Sequence, residues 1–89
     1  MVTLHLIIMG KVQGVFYRAS AKRKANELGV TGWIKNTKEG NVEAIISGSE
    51  MQSKQFINWC KIGPDKAKVQ QVIVTKTNDK VFADFTILK

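Results

Sequence analysis

The apolar spacing of this chain changes period inside its first third, and that change limits what it can fold into. Val2, Leu4, Leu6 and Ile8 alternate with Thr3, His5, Ile7 and Met9, whereas Tyr17, Ala21, Ala25 and Leu28 recur at spacings of four, four and three. Alternation is the mark of a strand with one buried face, and the longer spacing that of an amphipathic helix. Gly10 to Gly14 mark the break between the two, and Gly29 stands where a helix C-cap belongs. The start of the chain is therefore a strand that hands over directly to a helix.

The same alternation of elements recurs downstream. Residues 30–37 and 41–47 read as two strands around Lys38, Glu39 and Gly40, a short glycine-bearing connection that suits an antiparallel hairpin. Ser49 and Gln52 form a capping box, and Phe56, Trp59, Cys60 and Gly63 lie along one face of a second helix that Gly63 and Pro64 stop. Residues 69–76 and 81–88 are further strand candidates, joined by the turn formers Asn78 and Asp79, the last of them an edge strand. The order βαββαβ with one additional strand predicts an α+β, ferredoxin-like sandwich. It has an antiparallel sheet, two helices on one face, right-handed crossovers and a C-terminal edge strand. That architecture serves enzymes, metal carriers and RNA-binding modules alike, so it does not choose a function.

With 89 residues and no proline- or glycine-rich linker, the chain reads as a single domain over residues 1–89, with one core and one site. Fourteen Lys and Arg against seven Asp and Glu give a net charge of +7, which favours an anionic partner. One cysteine, Cys60, allows no internal disulfide, and with His5 as the one histidine the usual zinc clusters lack ligands. The carboxylates are scattered rather than set at ligand spacing, so no metal is expected. The longest apolar run, Leu6 to Met9, is four residues, which excludes a membrane span. The start has no basic region before its apolar stretch, and with a free thiol this points to the cytoplasm.

Two segments carry chemistry. Between the first strand and the first helix, Gly10 to Arg18 offers two glycines that let the backbone approach a ligand, followed by the unpaired N–H groups of a helix start. Such a junction can cradle an anion, and a bound anion would offset the unfavourable placing of Arg18 at the positive end of the helix. No Gly-Lys-Ser/Thr follows and a third glycine is missing, so neither a nucleotide P-loop nor a dinucleotide fingerprint is present. An ordinary connection bearing a surface arginine fits the spacing as well. Asn36, near a strand end, is the second candidate: asparagine is depleted from strands, and an amide can donate and accept to fix a water molecule. Asn36 as a turn former before the hairpin is the plainer alternative.

Taken together, Gly10-x-Val12-Gln13-Gly14-Val15-x-x-Arg18 and Gly32-Trp33-x-x-Asn36-x-x-x-Gly40-x-Val42-Glu43 closely resemble the acylphosphatase family. The resemblance spans nearly the whole chain and extends to Gly63-Pro64 and Ala67-x-Val69; Asp65 departs from it where many members carry a second proline. It implies hydrolysis of the carboxyl-phosphate bond of acyl phosphates to a carboxylate and inorganic phosphate, with no metal or organic cofactor. The backbone N–H groups of Gln13, Gly14, Val15, Phe16, Tyr17 and Arg18 are implied to hold the phosphoryl oxygens. Arg18 is implied to grip them with its planar guanidinium, which suits bidentate contact. Asn36 is implied to orient the attacking water, and Phe16 and Tyr17, which vary among members, to bear on substrate fit.

The other reactive side chains read as structural. His5 falls opposite the leucine face of its strand, Cys60 shares a stripe with Phe56, and Trp33 and Trp59 are expected in the core. Lys22, Arg23 and Lys24 make the first helix basic, a solvated face that can steer anions to the cradle. Two further readings use the same fold. One is an RNA-binding module, disfavoured because the open sheet face would offer His5 and Ile7 rather than paired aromatics. The other is an accessory domain of a larger carbamoyl-transfer protein, against which the free-standing length speaks. A monomer acting on a small acyl phosphate is the expectation, and nucleic acid is not an expected partner.

Overall fold

A computed structural model describes all 89 residues. The opening alternation builds β1 (Val2–Lys11), which lies inside the sheet, paired antiparallel with β3 (Val42–Gly48) on one side and β4 (Lys68–Lys76) on the other. Leu6 sits opposite Ala44 and Ile8 opposite Val42, all fully buried, so the register brings the apolar faces of both strands to one side. The strand runs past the break expected at Gly10. Met9 pairs with Gln71 and Gly10 with Val69, a bulge that leaves Gln70 as the extra residue. Gly10 has φ 124°, and a Cβ there would run into the carbonyl oxygen of Lys68, so the bulge demands glycine.

Helix α1 (Tyr17–Leu28) buries Tyr17, Ala21 and Ala25 and ends at Gly29, in the left-handed region, with the Val30 N–H donating to the Ala25 carbonyl at 2.8 Å. Helix α2 (Glu50–Cys60) starts with the capping box: the Gln52 N–H donates to Ser49 Oγ at 3.0 Å and the Ser49 N–H to Gln52 Oε1 at 2.8 Å. The Gln52 amide also donates to the Leu28 carbonyl at 2.9 Å, fixing the end of α1 against the start of α2. Gly63 lies in the turn beyond α2, its N–H bonded to the Trp59 carbonyl at 2.8 Å. No helix is long and apolar enough to cross a membrane.

The sheet order is β4-β1-β3-β2-β5, with β2 (Thr31–Asn36) antiparallel to β3 and β5 (Phe85–Ile87) at the edge. Both helices lie on one face and touch each other, α1 over β2 and β5 and α2 over β1, β3 and β4. Between helices and sheet, Leu6, Ile8, Ile34, Ala44 and Ile46 meet Ala21, Ala25 and Phe56 in one core. This is the ferredoxin-like α+β sandwich, with two corrections.

The first correction concerns the last strand. It spans three residues rather than 81–88, and it runs parallel to β2, so the sheet is mixed rather than wholly antiparallel. Asn78 and Asp79 do not close a hairpin, since β4 and β5 occupy opposite edges. Residues 77–84 instead cross the end of the sheet as a strap. The Thr77 N–H donates to the Thr3 carbonyl at 3.0 Å, the Lys80 N–H to Thr3 Oγ1 at 3.0 Å, Ser47 Oγ to the Lys80 carbonyl at 2.9 Å and the Gly32 N–H to the Asp84 carbonyl at 3.0 Å. Phe85 then plugs into the core with its ring 5.7 Å from that of Phe56, a burial that contributes about 2–3 kcal/mol.

The second correction is Trp33. It is not a core residue: its strand neighbours Gly32 and Ile34 face the helices and are buried, so Trp33 faces the open side of the sheet. There Lys35 lies over its ring, with Nζ 5.6 Å from the centroid, and Glu43 binds both His5 Nε2 at 2.7 Å and Lys35 Nζ at 3.7 Å. Trp59 does pack against the core, 5.4 Å from the Tyr17 ring.

Candidate active site

The end of β1 delivers the chain into the loop that precedes α1. Val12 and Val15 are buried and anchor it, while Gly14 at φ 73° and Phe16 at φ 63° both take left-handed conformations. Left-handed residues within a short loop are a feature of the backbone from which anion-binding nests are built. The first helical bond within reach is from the Ser20 N–H to the Phe16 carbonyl, and no backbone carbonyl receives the N–H groups of Gln13 to Arg18. For glycine the left-handed region is free of strain; for the bulky Phe16 it costs on the order of 1 kcal/mol.

Arg18 falls in the first turn of α1, with no acidic side chain in that turn to pair with it. Asn36 is the last residue of β2, opposite the buried Val42, so its side chain faces the helices and the loop rather than the open side. Its Oδ1 is fully buried and has no hydrogen-bond partner in the chain. A buried acceptor without a partner is rare, because leaving it dry costs roughly 1–3 kcal/mol. Arg18 and Asn36 line one cavity of about 330 Å³ together with Val12, Gly14, Phe16, Tyr17, Ala19 and Ile87. The loop, the arginine and the asparagine, distant in sequence, thus converge.

The Gln13 side chain is a component that sequence reasoning missed. Its amide donates to the Thr37 carbonyl at 2.9 Å and to the Asn41 carbonyl at 2.8 Å, tying the loop to both sides of the hairpin that ends β2. The same two carbonyls take the Gly40 N–H at 3.2 Å and the Thr37 N–H at 2.9 Å, so the clamp is added to a hairpin that already closes itself. Gln13 therefore sets the distance between the loop and Asn36. Its place between buried Val12 and Gly14 is the one hint the sequence held, and the partners, 24 and 28 residues away, were not readable. Ile87 was missed for a similar reason, since it reaches the cavity only through the parallel edge strand.

Tyr17, by contrast, turns its side chain away from solvent. Its hydroxyl donates to the Cys60 carbonyl at 2.8 Å, and burial, reinforced by the nearby Cys60, pushes the phenol far above its ordinary range. Burial likewise raises the Cys60 thiol to about 12, although its hydrogen bond with Tyr17 pulls the other way. Neither ionises near neutrality, so neither supplies a nucleophile. His5, on the open face against Glu43, lies outside the cavity lining.

The acylphosphatase family model matches residues 4–87. The acylphosphatase of Marinobacter nauticus is 50% identical over 68 residues, covering 76% of this chain and 74% of its own. Among solved structures, the acylphosphatase from Bacillus subtilis superposes over the full length of both chains with a TM-score of 0.96 at 30% identity. That from Coxiella burnetii covers 98% of this chain and 92% of its own with a TM-score of 0.94 at 36% identity. With the two sequence motifs folded into one cavity and the match running almost end to end, this chain belongs to the acylphosphatase family.

Proposed function

We propose that this chain hydrolyses acyl phosphates by holding the phosphoryl group in the loop before α1 and directing a water molecule at it from Asn36, without a metal. The observation that carries this reading is the convergence of Asn36, Arg18 and the free loop amides on one cavity. The amides of Gln13 to Arg18 and the Arg18 guanidinium meet the three equatorial oxygens, where charge concentrates in a loose phosphoryl-transfer transition state. The Asn36 side-chain amide hydrogen-bonds the water and aims its oxygen at phosphorus. Asparagine has no basicity at ordinary pH, so it orients the water without deprotonating it.

The chemistry needs no stronger group. Water oxygen bonds to phosphorus as the bond from phosphorus to the acyl oxygen breaks, and that electron pair leaves on a carboxylate that requires no protonation. The proton of the water passes to a phosphate oxygen of the substrate itself. Lys22, Arg23 and Lys24, on the same helix as Arg18, raise the local concentration of anions at the cavity.

The test is hydrolysis of benzoyl phosphate by the purified chain in excess EDTA. Turnover is expected in the wild type. Arg18→Gln should lose most of the activity and most of the inhibition by inorganic phosphate. Asn36→Ala should lower kcat with little change in KM. A large rise in KM at unchanged kcat in the Asn36 variant would refute its assigned role, and absence of turnover above buffer in the wild type would refute the hydrolase reading.

A further inference from the structure

The cavity that holds Arg18 and Asn36 is not polar throughout. Phe16, Ala19 and Ile87 give it an apolar side, and among the large apolar side chains of the lining Phe16 alone is mostly exposed, at 79%. Val12 is buried beneath the cavity and Tyr17 is committed to the core through its bond to the Cys60 carbonyl. Phe16 is also the one residue other than glycine with a positive φ, at the N-cap of α1, where it makes no side-chain capping bond. Two independent penalties meet there: a backbone conformation that glycine adopts freely, and a phenyl ring held in water instead of a core. Glycine would remove both and leave the loop's turn intact. The ring therefore does its work when the cavity is occupied.

From this we propose that Phe16 is a specificity-determining residue that forms, with Ala19 and Ile87, a subsite for apolar acyl groups, aromatic ones above all. The inference rests on the acyl phosphate hydrolysis set out above and adds to it the class of acyl group preferred. Displacement at phosphorus requires the leaving carboxylate opposite the attacking water, so the acyl group points away from the water held at Asn36. A phosphoryl group anchored by amides on both flanks of Phe16 leaves the ring beside the departing carboxylate. An aromatic acyl group can stack there in offset or tilted fashion, whereas acetyl is too small to cover the ring and an acyl group bearing its own charge would have to be desolvated against it.

The experiment compares kcat/KM for benzoyl phosphate and acetyl phosphate in the full chain, in Phe16→Gly and in Phe16→Tyr. Removing the ring should lower the benzoyl-to-acetyl ratio about tenfold, the worth of one aromatic pair with its buried area, while the tyrosine variant keeps the ratio within about threefold of wild type. Phe16→Gly suits the backbone at this position, and its melting temperature, measured alongside, checks that the fold persists. A ratio unchanged in Phe16→Gly overturns the subsite and leaves the hydrolase reading standing. A wild type that turns over neither substrate overturns the hydrolase reading and the subsite with it.

Discussion

Replacing Gln13 with Met separates the clamp between loop and hairpin from everything else the loop does. Methionine keeps the length and packing of glutamine but has no N–H, so the bonds to the Thr37 and Asn41 carbonyls, 2.9 and 2.8 Å long, are lost together. Neither carbonyl is stranded, because the Gly40 and Thr37 N–H groups still reach them. The loss is therefore two net hydrogen bonds without a desolvation penalty, about 2 kcal/mol in total. In a domain of this size that lowers the melting temperature by roughly 8–16 °C. Catalysis should suffer differently from binding. The amides proposed to hold phosphate belong to the loop itself, so inhibition by inorganic phosphate should change only a few-fold. A loop displaced by about 1 Å from Asn36 should cost kcat on the order of 10²-fold. Gln13→Glu should be worse, since a carboxylate would face two carbonyl oxygens with nothing to donate. Urea denaturation and steady-state hydrolysis of benzoyl phosphate measure both effects. A Met variant that loses the stability but keeps kcat within twofold of wild type would refute the positioning role and reduce Gln13 to a structural tie.

The strap and the buried thiol give two further expectations. Since Ser47 Oγ donates to the Lys80 carbonyl, the Thr3 hydroxyl donates to Ser47 Oγ, 2.8 Å away, and Ser47→Ala strands that buried hydroxyl at about 1–3 kcal/mol. Thr3→Val combined with Ser47→Ala should cost clearly less than the sum of the two in thermal melts, and strict additivity would refute a coupled network. Cys60, buried and raised to about 12, stays protonated in the fold at a pH where the unfolded chain releases the proton. The unfolded state then binds fewer protons, so stability falls as pH rises above 9. The slope is about 0.7 kcal/mol per unit at pH 9 and approaches about 1.4 as the unfolded thiol becomes fully ionised, until the folded thiol itself titrates. Between pH 9 and 10, where ionisation of the unfolded chain's phenol contributes alike to both proteins, urea titrations of Cys60→Ala should show a flatter decline than wild type; equal slopes would count against the burial argument.

The elements readable in the sequence are those whose own residues repeat their signal. Four alternating positions define β1, and the Tyr17, Ala21, Ala25 stripe and the Ser49–Gln52 box define the helices, each within a segment that buries its own pattern. β5 has three residues, too few for a period, and its place beside β2 is decided by Phe85 in the core and by the strap. Nothing local separates that route from a hairpin at Asn78 and Asp79. Trp33 went astray for another reason. The alternation of Gly32 and Ile34 already pointed it outward, and the common preference of tryptophan for cores outweighed the strand's own period. In the cavity, Arg18 and Asn36 were legible through the two motifs. The clamp of Gln13 and the contribution of Ile87 depend on distances that only the folded chain sets.

The strap has a consequence for timing. Every other neighbour of β2 and α1 is in place once β3 and α2 have formed, yet Phe85 and Ile87, the last wall of core and cavity, pair with Gly32 and Ile34, 53 positions earlier in the chain. Pairing across such long sequence separations is slow compared with helix formation, and an intermediate without β5 would leave an uncovered strand edge and an incompletely filled core. The docking of three residues therefore completes the sheet edge, the core and the cavity wall together.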